Sequence, residues 1–133
     1  MIPKRSIELI ETMALLIEIQ FKSGCYGVFG IEPMVEQISE PFLKKSLMMF
    51  LYGYNSEGIR MTLTPEVGST DVYRNLVIEG VIMLTHQSAE NPTVMLKKFK
   101  SALPPEDQTK LDSMAGEMVE EWEEMCERGE VVF

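Results

Sequence analysis

The sequence predicts an all-α fold: a compact bundle of about five helices that ends in an antiparallel helical hairpin. Apolar residues recur three and four positions apart over most of the chain, which is the spacing of a helix with one buried face. Prolines, glycines and short polar residues separate these stretches, where helices begin and end. The chain has 133 residues, the size of one domain, so we expect a single helical domain over residues 1–133.

The first predicted helix covers residues 4–22 and is apolar over most of its circumference. Its polar edge consists of four charged residues: Glu8, Glu11, Glu18 and Lys22. A helix this apolar must be covered on several sides. It is therefore predicted to be either the central helix of the bundle or a homodimer interface over residues 7–21. We expect Gly24 to end it, because glycine adopts the left-handed conformation found after helices.

Two helices are predicted before residue 53. The first is a short helix over residues 32–39, and Ser39 then caps a longer helix over residues 41–52. Residues 59–64 alternate apolar and polar, which is typical of a strand. Because a strand is not stable alone, this pattern predicts at most a small two-stranded ribbon. The partner strand would be one of two apolar segments, 25–31 or 131–133.

The next helix is predicted from Ser69 or Thr70 to residue 87, with an apolar stripe at helical spacing that includes Gly80. Glycine inside a helix costs about 1 kcal/mol relative to alanine. Gly80 therefore predicts the close approach of a second helix, for which the first helix is the candidate. Because the segment is rich in β-branched residues, a strand over residues 76–84 is the alternative.

The last third of the chain predicts the helical hairpin. Asn91 precedes a proline, a combination that begins a helix, and this helix is expected to end near Leu103. Two prolines then break the chain, and the last helix runs from Pro105 to about Arg128.

Negative charge is concentrated in that last helix. The chain has 12 Lys and Arg residues against 21 Asp and Glu residues, a net charge of −9. Ten of the acidic residues, but only two of the basic ones, follow residue 105. Binding to nucleic acid is driven by cations that neutralise phosphates, so we predict no direct nucleic-acid binding. The carboxylates of the last helix have three candidate roles. They keep the helix soluble, they pair with Lys97, Lys98 and Lys100 of the preceding helix, or they form a negative face that steers a protein partner with a basic surface.

We predict a non-enzymatic protein–protein interaction module, such as a regulator, adaptor, inhibitor or assembly chaperone. The eleven methionines suit a surface that adapts to another chain, although filling the core is their more common use. The predicted partner-binding residues lie on the last helix: Met114, Met118, Glu120, Trp122, Glu123, Glu124, Met125 and Glu127.

Two alternative functions stay open. A small-molecule sensor or an enzyme would have its pocket near the glycine- and aromatic-rich loop at residues 24–30. The candidate contacts of such a ligand are five residues: Cys25, Tyr26, Phe29, Tyr54 and His86. Tyr26 and Phe29 are nevertheless expected to fold back over the end of the bundle. The second alternative is a self-assembling structural subunit, driven by the apolar first helix.

No catalytic, cofactor-binding or metal-binding residues are predicted. The chain has one histidine, and Cys25 and Cys126 are too far apart in sequence to form a zinc motif. We interpret both as free thiols in a reducing compartment. Glu8, Glu11 and Glu18 interrupt the apolar start of the chain, and there is no run of 18 apolar residues. We therefore expect a cytoplasmic protein that does not enter a membrane.

Overall fold

The computed structural model describes residues 4–86 and 91–130, with the side chains of the first helix described from Glu8 onward. This part of the chain contains seven α-helices and no strand, which confirms the all-α prediction. The helix count exceeds five because two short helices, α2 and α4, accompany the five longer ones. The helices are α1 (Lys4–Tyr26), α2 (Glu32–Glu36), α3 (Pro41–Leu51), α4 (Ser56–Leu63), α5 (Val72–Leu84), α6 (Pro92–Ser101) and α7 (Pro105–Glu127).

The strand predictions are wrong, because residues 59–64 lie mostly in α4 and residues 76–84 in α5. In α4 the side chain of Asn55 accepts a hydrogen bond from a first-turn N–H at 2.8 Å and so begins the helix. Ile59 and Leu63 are both fully buried, four residues apart on one helical face. Residues 25–31 form the end of α1 and a 3₁₀ turn rather than a partner strand. Residues 131–133 lie outside the described residues.

Carboxylate side chains cap the first turns of two helices. Glu40, rather than Ser39, is the N-cap of α3 and accepts hydrogen bonds from two first-turn N–H groups at 3.2 and 2.6 Å. Asp71, rather than Ser69 or Thr70, plays the same role for α5 at 3.0 Å. A carboxylate suits these positions because it also meets the positive end of the helix dipole. Asn91 is the N-cap of α6, as predicted.

Helix α1 lies at the centre of the bundle. It packs against α5, α6 and α7, and its apolar side chains are buried by the rest of the chain. Gly24 does not end it: the helix continues to Tyr26, and Gly27, with φ of +80°, follows. Burial inside one chain accounts for the apolar circumference that suggested a homodimer over residues 7–21, and the homodimer stays a prediction.

Gly80 lets α5 approach α1 closely. A Cβ atom built on Gly80 would overlap the Cδ1 atom of Leu16 in α1 and would lie 3.5 Å from a ring carbon of Phe99 in α6. The prediction of a close helix contact at Gly80, made with α1, is therefore confirmed. Three helices meet at this point, which is part of the buried core.

Helices α1 and α7 lie side by side and run in the same direction. Near their starts, Ile10 and Met114 line a common cavity of about 240 Å³. Near their ends, Cys25 lies close enough to Glu121 that burial, and then this carboxylate, raise the pKa of the thiol. Helix α6 runs in the opposite direction to α7, because an ion pair of 2.8 Å joins Lys100 to Asp112 across the short connection.

The bundle has two distinct ends. A cleft of about 780 Å³ is lined by the first half of α1 and by the starts of α3 and α5. A cavity of about 490 Å³ is lined by the turn that follows α1 and by the ends of α3 and α5. Helices α1, α3 and α5 therefore run parallel, and α7 runs with them. We call the end where these four helices finish the carboxyl end, and the opposite one the amino end.

Candidate functional site

The backbone at the carboxyl end of the bundle contributes partial negative charge, because more helices end there than begin there; α4 is one that begins there. Four helices finish there, and none of them has a lysine or arginine in its last turn. Each helix end carries roughly half a negative charge from its aligned peptide dipoles. Basic residues occupy the last turns of α4 and α6 instead.

Helix α7 adds carboxylates to this end. Six of them are exposed, and among the described residues none forms an ion pair or a hydrogen bond; they are Glu117, Glu120, Glu121, Glu123, Glu124 and Glu127. We call these six the acidic segment. Of the three acids nearer the start of α7, Asp107 is paired with Lys110 and Asp112 with Lys100, while Glu106 in the first turn is exposed and has no ion pair among the described residues. The uncompensated charge is therefore concentrated in the second half of the helix.

Arg128 directly follows α7 and is already paired. Its guanidinium donates a hydrogen bond of 2.9 Å to the carboxylate of Glu130, and this bond lowers the pKa of Glu130. The same pairing raises the pKa of Arg128, with smaller contributions from Glu124 and Glu121. Because Arg128 forms this ion pair with Glu130, it neutralises little of the negative charge of the acidic segment.

The apolar residues predicted beside these carboxylates are mostly turned inward. Trp122 is only 6% exposed, and Met118 is half-buried against the core. Met125 is half-buried as well, while Met114 is 48% exposed but lies near the amino end. Val119, which is buried, belongs to the inner stripe and was missed. In this conformation the exposed side of α7 therefore carries carboxylates, and its tryptophan is buried.

The cavity at the carboxyl end has an aromatic rim. Phe29, Tyr54 and His86, three of the predicted ligand contacts, lie together in its lining, whereas Cys25 and Tyr26 do not. Phe29 is 80% exposed and Tyr54 is 45% exposed. The remaining lining residues are Val28, Phe50, Leu51, Gly53, Asn55, Ser56 and Thr85.

The expectation that Tyr26 and Phe29 fold back over the bundle is wrong. Gly27, in its left-handed conformation, turns the chain away from α1, and Tyr26 on one side of the turn is 72% exposed. The 3₁₀ turn that follows places Ile31 in the core with no exposed surface. Ile31 therefore closes the end of the bundle, which leaves both aromatic rings at the surface.

The cleft at the amino end was not predicted. It brings Glu8 and Glu11 of α1 near the capping carboxylates of α3 and α5, together with Tyr73 and Arg74. Burial raises the pKa of Tyr73, against a hydrogen bond from Thr12, and the nearby carboxylates of Glu40 and Glu8 raise it further. Arg74 lies 3.7 Å from Asp71 and 5.2 Å from the centroid of the Phe42 ring. These polar groups mainly bond to one another and to helix ends.

Two further properties concern the described residues as a whole. No group of three or more His, Cys, Asp or Glu side chains in this part of the chain is placed to hold a metal ion. No helix there combines the length and the apolar character needed to cross a membrane.

Comparison of the chain with protein-family models, with curated proteins and with solved structures gave no match.

Proposed function

We propose that this protein is a non-enzymatic interaction module, a cytoplasmic regulator, adaptor, inhibitor or assembly chaperone, that binds a basic protein surface at its carboxyl end. The observation that carries the proposal is the acidic segment: six exposed carboxylates in the second half of one helix, which have no ion-pair partner among the described residues. In this proposal α6 and α7 form an antiparallel hairpin whose outer side faces the partner. The dipoles of four helix ends add to the same negative potential.

Exposed carboxylates set the rate and the orientation of binding more than its strength. Each exposed ion pair contributes only about 0–1 kcal/mol, and salt screens it over roughly 8 Å at physiological ionic strength. A negative face nevertheless speeds the encounter with a basic partner and disfavours acidic ones. The affinity must therefore come from apolar contacts, and the exposed aromatic residues at the carboxyl end supply the nearest ones; they are Tyr26, Phe29, Tyr52 and Tyr54.

The test compares two charge variants of equal size. In the first, four carboxylates of the acidic segment become glutamine: Glu120, Glu123, Glu124 and Glu127. In the matched control, four exposed carboxylates away from that segment become glutamine: Glu8, Glu11, Glu36 and Glu106. Both variants change the net charge by the same amount, so they differ only in where the charge is removed.

Affinity capture from native lysate is then carried out with the wild type and both variants. We expect proteins with basic surfaces that the wild type and the control variant retain and that the acidic-segment variant loses. A first purified partner should associate roughly tenfold more slowly with the acidic-segment variant, with little change in its dissociation rate. An unchanged set of captured proteins, or equal loss in both variants, would limit the acidic segment to a role in solubility.

A small-molecule sensor is the second candidate, because the cavity at the carboxyl end is concave and mainly apolar. Its volume of about 490 Å³ falls within the range of roughly 300–1,000 Å³ typical of ligand pockets. Thermal-shift titration with a metabolite library tests this candidate. A stabilising compound whose effect disappears in Tyr54→Ala would support it, and the absence of any stabilising compound would exclude this use of the cavity.

No observation favours the third candidate, a self-assembling structural subunit, because the apolar face of α1 is buried within the chain. Sedimentation at several concentrations tests self-association through residues 7–21. A homodimer predicts a sedimentation coefficient that rises with concentration, and a constant monomer value would rule it out.

A further inference from the structure

The cavity at the carboxyl end has an aromatic rim that suits a positively charged ligand group. The aromatic rings of Phe29 and Tyr54 lie at its rim, Phe29 largely exposed and Tyr54 about half exposed, while Phe50 is buried. The faces of aromatic rings carry partial negative charge and attract cations. Exposed rings alone are common on proteins, but here they border a concave site.

The backbone around the cavity has the same electrostatic preference. The cavity is lined by the last residues of α3 and by the residues that directly follow α5, so the negative ends of two helix dipoles meet there. The positive end of α4 opposes them, because its N-cap Asn55 and its first residue Ser56 also line the cavity. Neither α3 nor α5 has a basic residue in its last turn, and no lysine or arginine lines the cavity within the described ranges 4–86 and 91–130. A positively charged group in the cavity would therefore meet two negative helix ends against one positive end, with no lysine or arginine among the described lining residues.

The lining also indicates which cation fits. Among the described residues the lining contains no carboxylate, so a strongly hydrated ammonium group would lose water without gaining an ion pair there. A guanidinium is planar and weakly hydrated, and it stacks on aromatic faces. A cavity of about 490 Å³ has room for this group together with its aliphatic stem.

The acidic segment lies at the same end of the bundle. The charge of Glu121 raises the pKa of the Cys25 thiol, which lies in the last turn of α1. Phe29, at the rim of the cavity, follows Cys25 by four residues. A peptide whose side chain occupies the cavity could therefore place further basic residues along the second half of α7. Charge complementarity thus favours a basic peptide over an acidic or neutral one.

We infer that the cavity binds the arginine side chain of a basic peptide segment in the partner, by cation–π contact with Phe29 and Tyr54. The basic residues that flank this arginine lie against the acidic segment. The inference rests on the proposed function and adds to it the anchor residue and the pocket that receives it.

The test uses three fluorescently labelled peptides that differ at one position. Each carries lysines on both sides of a central residue, which is arginine, lysine or citrulline, the uncharged isostere of arginine. Fluorescence anisotropy at physiological salt measures their affinity for the full chain. We expect the arginine peptide to bind about tenfold more tightly than the citrulline peptide, with the lysine peptide between them.

Matched variants then locate the contact. Phe29→Leu and Tyr54→Ala should each reduce the preference for arginine over citrulline to about twofold or less, while Tyr54→Phe, which keeps the ring, should retain it. Tyr26→Ala removes an exposed ring outside the cavity and should leave the preference unchanged. These side chains are exposed, so the variants are expected to fold, and circular dichroism checks this.

The outcomes separate this inference from the function on which it rests. Equal affinity for all three peptides, with binding that still depends on the acidic segment, would overturn the arginine pocket and leave the proposed function intact. No binding of any basic peptide would count against both. Competition by free agmatine as strong as that of the arginine peptide would show a site for small cations and would overturn the peptide anchor.

Discussion

Replacing Gly80 by alanine tests the packing at the centre of the bundle. Gly80 is buried in the middle of α5, and an added Cβ would overlap the Cδ1 atom of Leu16. Leu16 is itself completely buried, so its side chain has no open space into which it can turn. Relief of the overlap therefore requires α1 and α5 to move apart or Leu16 to adopt a strained rotamer.

Two opposing effects set the size of the change. Alanine improves helix propensity by about 1 kcal/mol over glycine, whereas overpacking of a dense core costs about 1–3 kcal/mol. We expect a net loss of about 1 kcal/mol in the free energy of unfolding. Gly116 provides the matched control, because it lies within α7 and a Cβ there would meet nothing within 4 Å. Gly116→Ala should therefore be stabilising by about 0.5–1 kcal/mol.

Urea unfolding measures both variants, followed by circular dichroism and by the fluorescence of the buried Trp122. The midpoint should fall for Gly80→Ala and rise for Gly116→Ala, with an unchanged dependence on urea. In thermal unfolding, 1 kcal/mol corresponds to a shift of roughly 3–5 °C for a domain of this size. Equal stabilisation by both substitutions would show that α1 and α5 are not in the close contact described above.

Two further predictions concern groups with shifted pKa values. Burial raises the pKa of Tyr73 above its ordinary value of 10.0, so the stability that the protonated tyrosine contributes is complete below pH 10 and is lost as pH rises through the raised pKa. Tyr73→Phe should therefore reduce the loss of stability at alkaline pH, measured by urea unfolding. An unchanged pH profile of stability would contradict this prediction. Burial and then Glu121 raise the pKa of Cys25, so Glu121→Gln should speed alkylation of Cys25 by iodoacetamide at neutral pH. Cys126 serves as the internal reference, and an unchanged ratio of the two alkylation rates would refute the electrostatic effect of Glu121 on Cys25.

The sequence predicted those helices best whose boundaries carry a chemical signal. Asn91 and the prolines at 104 and 105 place the limits of α6 and α7 within two residues. α4 was mistaken for a strand because residues 59–64 alternate apolar and polar. Two of the apolar residues, Ile59 and Leu63, are also four positions apart, which is helical spacing. Over six residues the two periods are difficult to separate.

The candidate site was only partly predictable, because it depends on how distant segments come together. Phe29, Tyr54 and His86 were singled out from the sequence, but their common cavity exists because α1, α3 and α5 run parallel. The exposure of Phe29 follows from the turn at Gly27, and no periodic pattern indicates which way a ring points after such a turn. The amino-end cleft was missed because Glu40 and Asp71 were not recognised as helix caps.

The inward position of Trp122 could have been inferred from spacing. Leu111, Ala115, Val119 and Trp122 follow one another at intervals of four, four and three residues, and all four are buried. A stripe of this kind faces the body of the protein, so the residues on the opposite side of α7 are the ones available to a partner. Those residues are the carboxylates of the acidic segment.

The central claim is that the carboxyl end of the bundle is the binding surface for a basic partner. Mapping of backbone amide chemical shifts in the ¹⁵N-labelled protein, during titration with the arginine peptide, tests it most directly. Shifts confined to residues 27–29, 53–56, 84–86 and 117–127 are predicted. Shifts centred on the amino-end cleft around Glu8 and Asp71, or spread without focus over the surface, would contradict it.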